Sequence, residues 1–464
     1  MNGLQVLYAK SPYWLQHVFL NAYAFSIHLE RYGGPFHRAF DELQKTQWFT
    51  KEEIEQYQLN RLQPLVRHAY YTVPFYRDKY DSHEVAPEDI KSLSDLSKLP
   101  IITAEDVRSA GKSILSVKYS KKKLIHGHTS GTTGTPLSVC WDKQTCVYNN
   151  AVDWRQKAWA GIHYGDRLAL ILGRTIVAAD KKQPPFWQHD RIHNMLWMSA
   201  FHLSEEFLPY YYERLWQFKP KAIEGYPSTI FILARYLDRI GKTFPVKAVF
   251  VSSETLFPTQ RALIEDRFEA PVYDFFGMAE RVAFATQCAE AREYHLNFEY
   301  AINEVGDSNG NLLEPGKQGY LIGTSLLNYG MPLIRYKTSD ITAINTARCT
   351  CGRYMPRFTG VTTKDEDIVV TPEGKLISSS ILTHPFKPLD SIKESQLIQE
   401  KIDLLRVKIV PRENYTEKDS TQLINALKER VGANMRIEIE LTDKIPRTNA
   451  GKLRWVISKI HLSL

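Results

Sequence analysis

The sequence is poor in cysteine and lacks a long apolar run. Its 464 residues include five cysteines, an odd number without the spacing of a disulfide framework, which predicts a reducing, cytoplasmic location. The aromatic stretch SPYWLQHVFLNAYAFSIHLERYGG is interrupted by Gln16, His17 and Asn21, so it does not form a transmembrane segment. We interpret it as an amphipathic helix packed on the protein, with interfacial membrane contact as the alternative.

A strong charge of one sign is also missing. Lys and Arg total 59 against 52 for Asp and Glu, a net charge of +7 that suits anionic small molecules. The longest basic run is Lys121-Lys122-Lys123, and it has none of the interleaved aromatic residues that single-strand binders use. We therefore expect no nucleic acid partner and interpret the run as a solvated face. The chain has no internal repeat and no low-complexity segment.

The hydrophobic pattern predicts an α/β protein with two domains. The first hundred residues have apolar residues at helical spacing, and from residue 123 to 256 strand-like runs such as RLALIL alternate with helical ones. After Glu280 shorter strands form a β-rich subdomain, with Asn309-Gly310 as a hairpin turn. We expect a large layered domain over residues 1–365 and a small mobile α+β domain over residues 366–464.

The stretch HTSGTTGTPLSV, residues 128–139, combines hydroxyl groups with two glycines. Gly131 and Gly134 allow the backbone to approach a ligand, and the amides and hydroxyls between them supply donors for phosphate oxygens. It is not the P-loop of strand–helix NTPases, because Thr135 stands where that motif requires a lysine. Taken alone, such a loop is more often an ordinary turn.

Three further motifs follow the loop in order. YDFFGMAER contains Glu280, PLIRYKTSDIT contains Asp340, and KIPRTNAGKLR contains Lys452. Together with SGTTGTP they resemble the motifs of the adenylate-forming superfamily, which comprises acyl-CoA synthetases, adenylation domains and luciferases. The segments VPFYRDKY, GYPSTIFILARYL and CTCGRYMPRF are similar to the phenylacetate-CoA ligase branch, and to the CapK-like proteins associated with polysaccharide gene clusters.

The resemblance implies an ATP- and Mg²⁺-dependent ligase with a role for each motif. Lys452 would lie between the carboxylate and phosphate oxygens, and Glu280 would bind Mg²⁺. Asp340 would accept hydrogen bonds from the ribose hydroxyls. Together with Thr133, Lys452 and Glu280 form the implied catalytic set. The implied nucleotide-binding set is Thr129, Ser130, Gly131, Thr132, Thr133, Gly134, Ser253, Glu254, Phe276, Gly277, Met278, Ala279, Glu280, Asp340 and Lys364.

The sequence departs from the family pattern at several of these positions. Ala279 replaces a hydroxyl residue, and Lys337 and Ser339 replace the Arg and Gly of the ribose motif. At the hinge Lys364 replaces an arginine, and lysine cannot reproduce the planar bidentate contact. In family members the small domain rotates about this hinge after adenylation. Because of these substitutions, a nucleotide-binding scaffold protein that catalyses no reaction is an alternative to the enzyme.

The substrates are the least determined part. Tyr226, Pro227 and Ser228, with aromatic residues near Trp187, are candidates for an acid pocket that suits an aryl or medium apolar acid, although core packing explains them equally. Family resemblance favours coenzyme A as the acceptor. An amine, such as an amino sugar or amino acid, or a carrier protein is the alternative.

Four soft ligands occur in two short segments of the β-rich region. CAEAREYH contains Cys288 and His295, and CTC contains Cys349 and Cys351. Three sulfurs and an imidazole suit a closed tetrahedral Zn²⁺ site, although the C-x-C spacing is tighter than usual. The alternative is a set of unrelated buried and surface side chains. Bound zinc would be structural.

Overall fold

The N-terminal region is helical, as the apolar spacing predicts. The computed structural model describes residues 8, 11–129, 137–174, 176–178, 181–307, 309–360, 369–377, 379–386, 388–389, 391–446 and 455–460. Thr50 caps the longest N-terminal helix through the amide of Glu53, and this helix ends before Pro74 because Val73 is extended. The helices are α1 (Tyr13–Arg31), α2 (Gly34–Thr46), α3 (Lys51–Thr72), α4 (Pro74–Asp81) and α5 (Ala104–Ala110).

A two-stranded hairpin carries the hydroxyl loop, and a ten-stranded sheet follows. The hairpin pairs β1 (Ile125–His128) with β2 (Ser138–Trp141). The sheet has the order β14-β15-β10-β9-β8-β7-β6-β3-β5-β4, in which β5, β3, β6, β7 and β8 are parallel. Its strands are β3 (Leu168–Ile171), β4 (Trp187–Asp190), β5 (Met195–Met198), β6 (Ala222–Gly225), β7 (Ala248–Ser252), β8 (Val272–Gly277), β9 (Phe284–Gln287), β10 (Tyr294–Leu296), β14 (Ile344–Asn345) and β15 (Arg357–Phe358).

Helices cover both faces of the parallel strands. Alternate residues of these strands belong to two different apolar cores, with Val249 and Val251 in one and Ala248 and Phe250 in the other. This explains why the strands are apolar almost throughout. The covering helices include α6 (Lys143–Trp159), α7 (Leu208–Phe218), α8 (Pro227–Arg239) and α9 (Pro258–Phe268).

The β-rich region after Glu280 is present, and Asn309-Gly310 lies in a hairpin turn, as predicted. An antiparallel sheet contains β11 (Ala301–Gly306), β12 (Gly319–Ser325) and β13 (Tyr336–Thr342). This turn lies within the connection between β11 and β12: the Asp307 amide donates to the Asn311 carbonyl oxygen at 2.9 Å, and Gly306 pairs with Leu312 in an antiparallel bridge. The Asp307 carboxylate accepts hydrogen bonds from the amides of Asn309 and Asn311, and so organises this connection locally.

The C-terminal region has the predicted α+β pattern. Its four-stranded sheet has the order β20-β19-β18-β21, and α11 separates β19 from β20. Ile381 packs near Gly173 and Tyr226, so the apolar core of this region is continuous with that of the large sheet. The elements are β16 (Val369–Val370), β17 (Leu376–Ile377), α10 (Ser379–Thr383), β18 (Ile392–Lys401), β19 (Leu404–Pro411), α11 (Glu417–Val431), β20 (Arg436–Leu441) and β21 (Val456–Ser458).

Candidate active site

Residues predicted to bind the nucleotide or the acid follow the carboxyl ends of the parallel strands. Tyr226 follows β6, Ser253 and Glu254 follow β7, and Glu280 lies just beyond β8. Carboxyl ends of parallel strands meet at one edge of a sheet, where α/β proteins bind their ligands. Ser253 has a φ of 71°, so the chain turns sharply as it leaves β7. The structure therefore brings three separate sequence motifs to one edge.

Glu280 faces groups from β13. The Tyr336 hydroxyl donates a hydrogen bond to Glu280 Oε1 at 3.3 Å. Burial, with a smaller contribution from the charge of Asp340, raises the pKa of Glu280 to about 7, and hydrogen bonds from its own backbone amide and from the Tyr336 hydroxyl oppose this shift. Two carboxyl groups close together suit a divalent cation, whose charge would offset their repulsion. Sequence reasoning missed Tyr336, which lies in the ribose motif.

Trp141 fixes the segment that carries Glu280. Its indole Nε1 donates to the carbonyl oxygen of Ala279 at 2.9 Å, and the Arg281 guanidinium lies 4.3 Å from the ring centroid. A Cβ added to Gly127 would lie 2.1 Å from the indole, so glycine is required there. Trp141 thus links the β1–β2 hairpin to the glutamate. Nothing local in the sequence indicates this role.

The hydroxyl loop is closed at its base by Thr129. The Thr129 amide donates to the Leu137 carbonyl at 3.0 Å, and the Leu137 amide donates to Thr129 Oγ1 at 2.9 Å. The other predicted loop, hinge and lysine residues lie outside the described residues: Ser130, Gly131, Thr132, Thr133, Gly134, Lys364 and Lys452. Their roles stay predictions.

A cavity of about 800 Å³ opens at the ends of β7 and β8. Burial raises the pKa of Asp274 in its lining to about 7. Phe276 is half-buried and meets the Phe358 ring edge to face at 5.4 Å. Met278 and Ala279 lie outside the lining and pack against the N-terminal apolar core. The lining includes the predicted adenine-site residues and the two residues after Asp340, namely Ser253, Glu254, Phe276, Gly277, Ile341 and Thr342.

The predicted acid-pocket residues lie beside this cavity and do not line it. The Ser228 amide, at the start of α8, donates to Glu254 Oε2 at 3.0 Å, a favourable position for a carboxylate. Burial raises the pKa of Tyr226 to about 12, with the charge of Glu254 as the next cause. Pro227 occupies the first turn of α8. Ile381, which sequence reasoning missed, contacts this region from the C-terminal part.

The structure does not bring Trp187 to this region. Trp187 lies on the edge strand β4, which two strands, β3 and β5, separate from β6. Its carbonyl oxygen accepts a hydrogen bond from the Tyr13 hydroxyl of α1. The interpretation of the aromatic residues near Trp187 as part of the acid pocket stays a prediction, and the position of Trp187 on the outer strand of the sheet, packed against the apolar core, favours the alternative of core packing.

Cys288, His295, Cys349 and Cys351 meet at the other end of the sheet. Their ligand atoms all lie within 4.8 Å of one another, and the first three residues are buried. The sulfurs of Cys288 and Cys349 are 4.0 Å apart, and His295 Nε2 is 3.4 Å from the Cys288 sulfur. Tetrahedral zinc with bonds of about 2.3 Å separates its sulfur ligands by about 3.8 Å. The donor set therefore fits a structural zinc ion.

Cys288 and Cys351 lie close enough to form a hydrogen bond. The hydrogen bond between them raises the pKa of Cys288 and lowers that of Cys351, and His295 lowers the latter further. Because β10 pairs with both β9 and β15, an ion at this point would join three strands of the sheet. One of those strands supplies Tyr294, which lines the cavity and donates to Asp274.

Comparison with known proteins gives consistent relatives. A family model described as the CapK C-terminal domain matches residues 369–459. Protein CapK of Staphylococcus aureus is 26% identical, over 98% of this chain and 100% of that protein. Phenylacetate-coenzyme A ligase of Aromatoleum evansii is 25% identical, over 90% of this chain and 97% of that protein.

Solved structures share the fold. A structure of 2-hydroxyisobutyryl-CoA ligase, in complex with 2-HIB-AMP and CoA in the thioesterification state, has a TM-score of 0.57 and 21% identity. The match covers 89% of this chain and 91% of that chain. The predicted α/β fold class is confirmed.

Proposed function

From its membership of the adenylate-forming superfamily, on the branch of CapK and the phenylacetate-CoA ligases, we propose that this chain is an ATP-dependent carboxylic-acid ligase. It forms an acyl-adenylate, releases pyrophosphate and transfers the acyl group to coenzyme A. The observation that carries the proposal is the electrostatic interaction of Glu280 with Asp340 at the carboxyl ends of the parallel strands, where Gly277 and Ile341 line a cavity. A cytoplasmic location stays a prediction.

The chemistry explains why this edge needs paired carboxylates and fixed donors. A carboxylate attacks the α-phosphorus of ATP, so two anions must approach each other, and the site has to offset the growing negative charge. Glu280 would hold Mg²⁺, which supplies positive charge at the phosphates. Asp340 would accept hydrogen bonds from the ribose hydroxyls. Phe276 would lie against the adenine ring, and Ser253 and Glu254 would border that ring.

The residues outside the described part complete the proposal. Ser130, Thr132 and Thr133 would orient the β- and γ-phosphates, and Lys452 would neutralise the carboxylate and α-phosphate oxygens. Residues 366–464 would form the mobile domain that brings Lys452 to the site and withdraws it for thioester formation. The similarity of residues 369–459 to the CapK C-terminal domain supports treating this region as a unit.

For the acid we propose a chemical class, and for the acceptor we propose coenzyme A. Tyr226 and Ile381, packed together beside Glu254, support an apolar wall suited to an aryl or medium apolar acid. Coenzyme A is the proposed acceptor because the curated phenylacetate relatives are coenzyme A ligases. The match to CapK over the whole chain keeps transfer to an amine or carrier protein as a second candidate.

We also propose a structural zinc ion held by Cys288, His295, Cys349 and Cys351. Its support is the donor set and the spacing of the ligand atoms. The ion would pin strands β9, β10 and β15 and take no part in the reaction.

ATP–pyrophosphate exchange with a panel of aryl, fatty, hydroxy and amino acids tests the adenylation step. We expect one acid class to stimulate exchange in the wild type and in Lys444→Ala, an exposed control, and Lys452→Ala to abolish it. Product analysis with and without coenzyme A then identifies the acceptor. Absence of exchange with every acid, despite ATP binding, would instead favour the non-catalytic scaffold.

A further inference from the structure

Helix α1 packs on the protein through its polar side. Asn21 donates to the His189 carbonyl at 3.0 Å and accepts from the Arg191 amide at 2.9 Å, and the His17 ring lies 3.2 Å from Gln188 Oε1. These hydrogen bonds cover β4, the edge strand of the large sheet. An edge covered in this way cannot pair with another chain.

The opposite side of α1 is apolar and exposed. Trp14 is 67% exposed, Leu29 63% and Tyr23 60%. Of the twenty large apolar side chains exposed in the described part of the chain, seven lie on this helix, and no Asp, Glu, Lys or Arg occurs between Tyr13 and Leu29. Surface helices of globular proteins have the reverse arrangement, so this side is an interaction surface. Tyr13 lies at the border of this side, because its hydroxyl donates to the Trp187 carbonyl of β4, and the other six residues are Trp14, Val18, Phe19, Tyr23, Phe25 and Leu29.

Cations flank this apolar side. The Lys181 ammonium lies 5.0 Å from the centre of the Tyr13 ring, and Arg214 is close enough to interact electrostatically with both Tyr13 and His189. Arg191, whose amide binds α1, is exposed. Within the described residues none of these three cations forms an ion pair with a carboxylate. The Lys181 ammonium donates to the Pro185 carbonyl oxygen at 2.8 Å and the Arg214 guanidinium donates to Gln217 Oε1 at 3.3 Å, and both groups retain further N–H donors for an external anion.

The combination fits an anionic bilayer better than a second copy of the chain. A symmetric dimer built on α1 would bring the flanking cations of both copies to one interface, and α1 has no carboxylate between Tyr13 and Leu29 to pair with them. Aromatic and aliphatic side chains beside basic residues are the features of helices that lie in a membrane interface. No helix in the described ranges is long and apolar enough to cross a membrane.

We propose that α1 binds the surface of a membrane containing anionic lipids. Its apolar side enters the headgroup region, and Lys181, Arg191 and Arg214 contact lipid phosphates. The acid-activating site would then operate at a membrane surface, although the binding itself does not depend on the proposed reaction.

Sedimentation with phosphatidylcholine vesicles, with and without phosphatidylglycerol, tests the proposal on the full chain. We expect binding that requires phosphatidylglycerol and weakens with added salt. The double variant Val18→Ser with Leu29→Ser should bind vesicles at least about tenfold more weakly than the wild type. The matched control, Val117→Ser with Leu441→Ser, removes equally exposed side chains elsewhere and should bind as the wild type does.

Circular dichroism should show both double variants folded, because all four side chains are exposed. The pair Arg191→Gln with Arg214→Gln should remove the dependence on phosphatidylglycerol. Equal vesicle binding by the Val18→Ser with Leu29→Ser variant and by its control, Val117→Ser with Leu441→Ser, would overturn the proposal. So would a dimer, seen by light scattering, that dissociates only in Val18→Ser with Leu29→Ser and binds no vesicles.

Discussion

Two clusters of ionisable side chains lie beside opposite ends of the strands of the ten-stranded sheet, and they differ in what surrounds them. At the carboxyl ends of the parallel strands, Glu280 and Asp340 stand near a cavity, and the Glu280 pKa lies near neutrality. At the antiparallel end, Cys288, His295 and Cys349 are buried, and their ligand atoms and that of Cys351 all lie within 4.8 Å of one another. The first cluster has space beside it for a substrate, whereas the spacing of the ligand atoms in the second cluster fits a single metal ion.

The comparison predicts that changes at the two clusters have separable effects. Glu280→Gln should lower ATP–pyrophosphate exchange at least about 100-fold, because the amide cannot balance the charge of a metal–nucleotide complex. Thermal unfolding should show no loss of stability. Glu290→Gln, which changes an exposed acid beside Cys288, is the matched control and should retain activity. Equal rates in the two variants would contradict the assignment of Glu280.

Changes at the cysteine cluster should act mainly on stability. Cys349→Ser should remove zinc from the purified protein, measured by mass spectrometry, and lower the unfolding midpoint by on the order of 5–10 °C. Exchange measured well below that midpoint should persist. Cys146→Ser, at a buried cysteine outside the cluster, should leave the zinc content unchanged. Zinc absent from the wild type would refute the metal site.

Substitution of Trp141 tests how the segment that carries Glu280 is positioned. Trp141→Phe retains an aromatic ring but loses the donor to the Ala279 carbonyl, so we expect kcat to fall about tenfold with little change in stability. Gly127→Ala displaces the same indole and should have a similar effect. Because both changes act through one contact, the double variant should be no slower than the worse single variant. Additive losses would show that the two residues act independently.

The pH dependence of stability should distinguish the clusters by a small effect. Glu280 has an unfolded pKa of 4.5 and a folded pKa of about 7, so the folded state binds more protons between these values. Its stabilising effect is full below pH 4.5 and is lost as pH rises through 7. Glu280→Gln should reduce the slope of unfolding free energy against pH by at most about 1.4 kcal/mol per pH unit. The slopes are measured by denaturant unfolding without nucleotide. Equal slopes in the wild type and in Glu280→Gln would contradict this pKa.

Local patterns predicted the strand ends well. The apolar run Ala222–Gly225 before Tyr226, and the run Ala248–Ser252 before Glu254, identify buried parallel strands and the point where each ends. Glycine and hydroxyl residues at such points are typical of ligand loops. These elements were predictable because the relevant residues are neighbours in the sequence.

Contacts between distant segments were not predictable in the same way. Trp141 and Ala279 are 138 positions apart, and Tyr336 and Glu280 are 56 apart, so no local pattern encodes either contact. The aromatic composition near Trp187 suggested a pocket, and the position of Trp187 on the outer strand of the sheet favours core packing. The helical spacing of α1 was also recognised, yet only the fold shows that its polar side faces inward.

Single-turnover analysis tests the central claim most directly. The protein is mixed with ATP, Mg²⁺ and the stimulating acid, without coenzyme A, and the quenched products are identified by mass spectrometry. The account predicts an enzyme-bound acyl-adenylate with an equal amount of pyrophosphate, and neither product in Glu280→Gln. Formation of ADP with an acyl phosphate, or of an adenylate in equal amount in the variant, would contradict it.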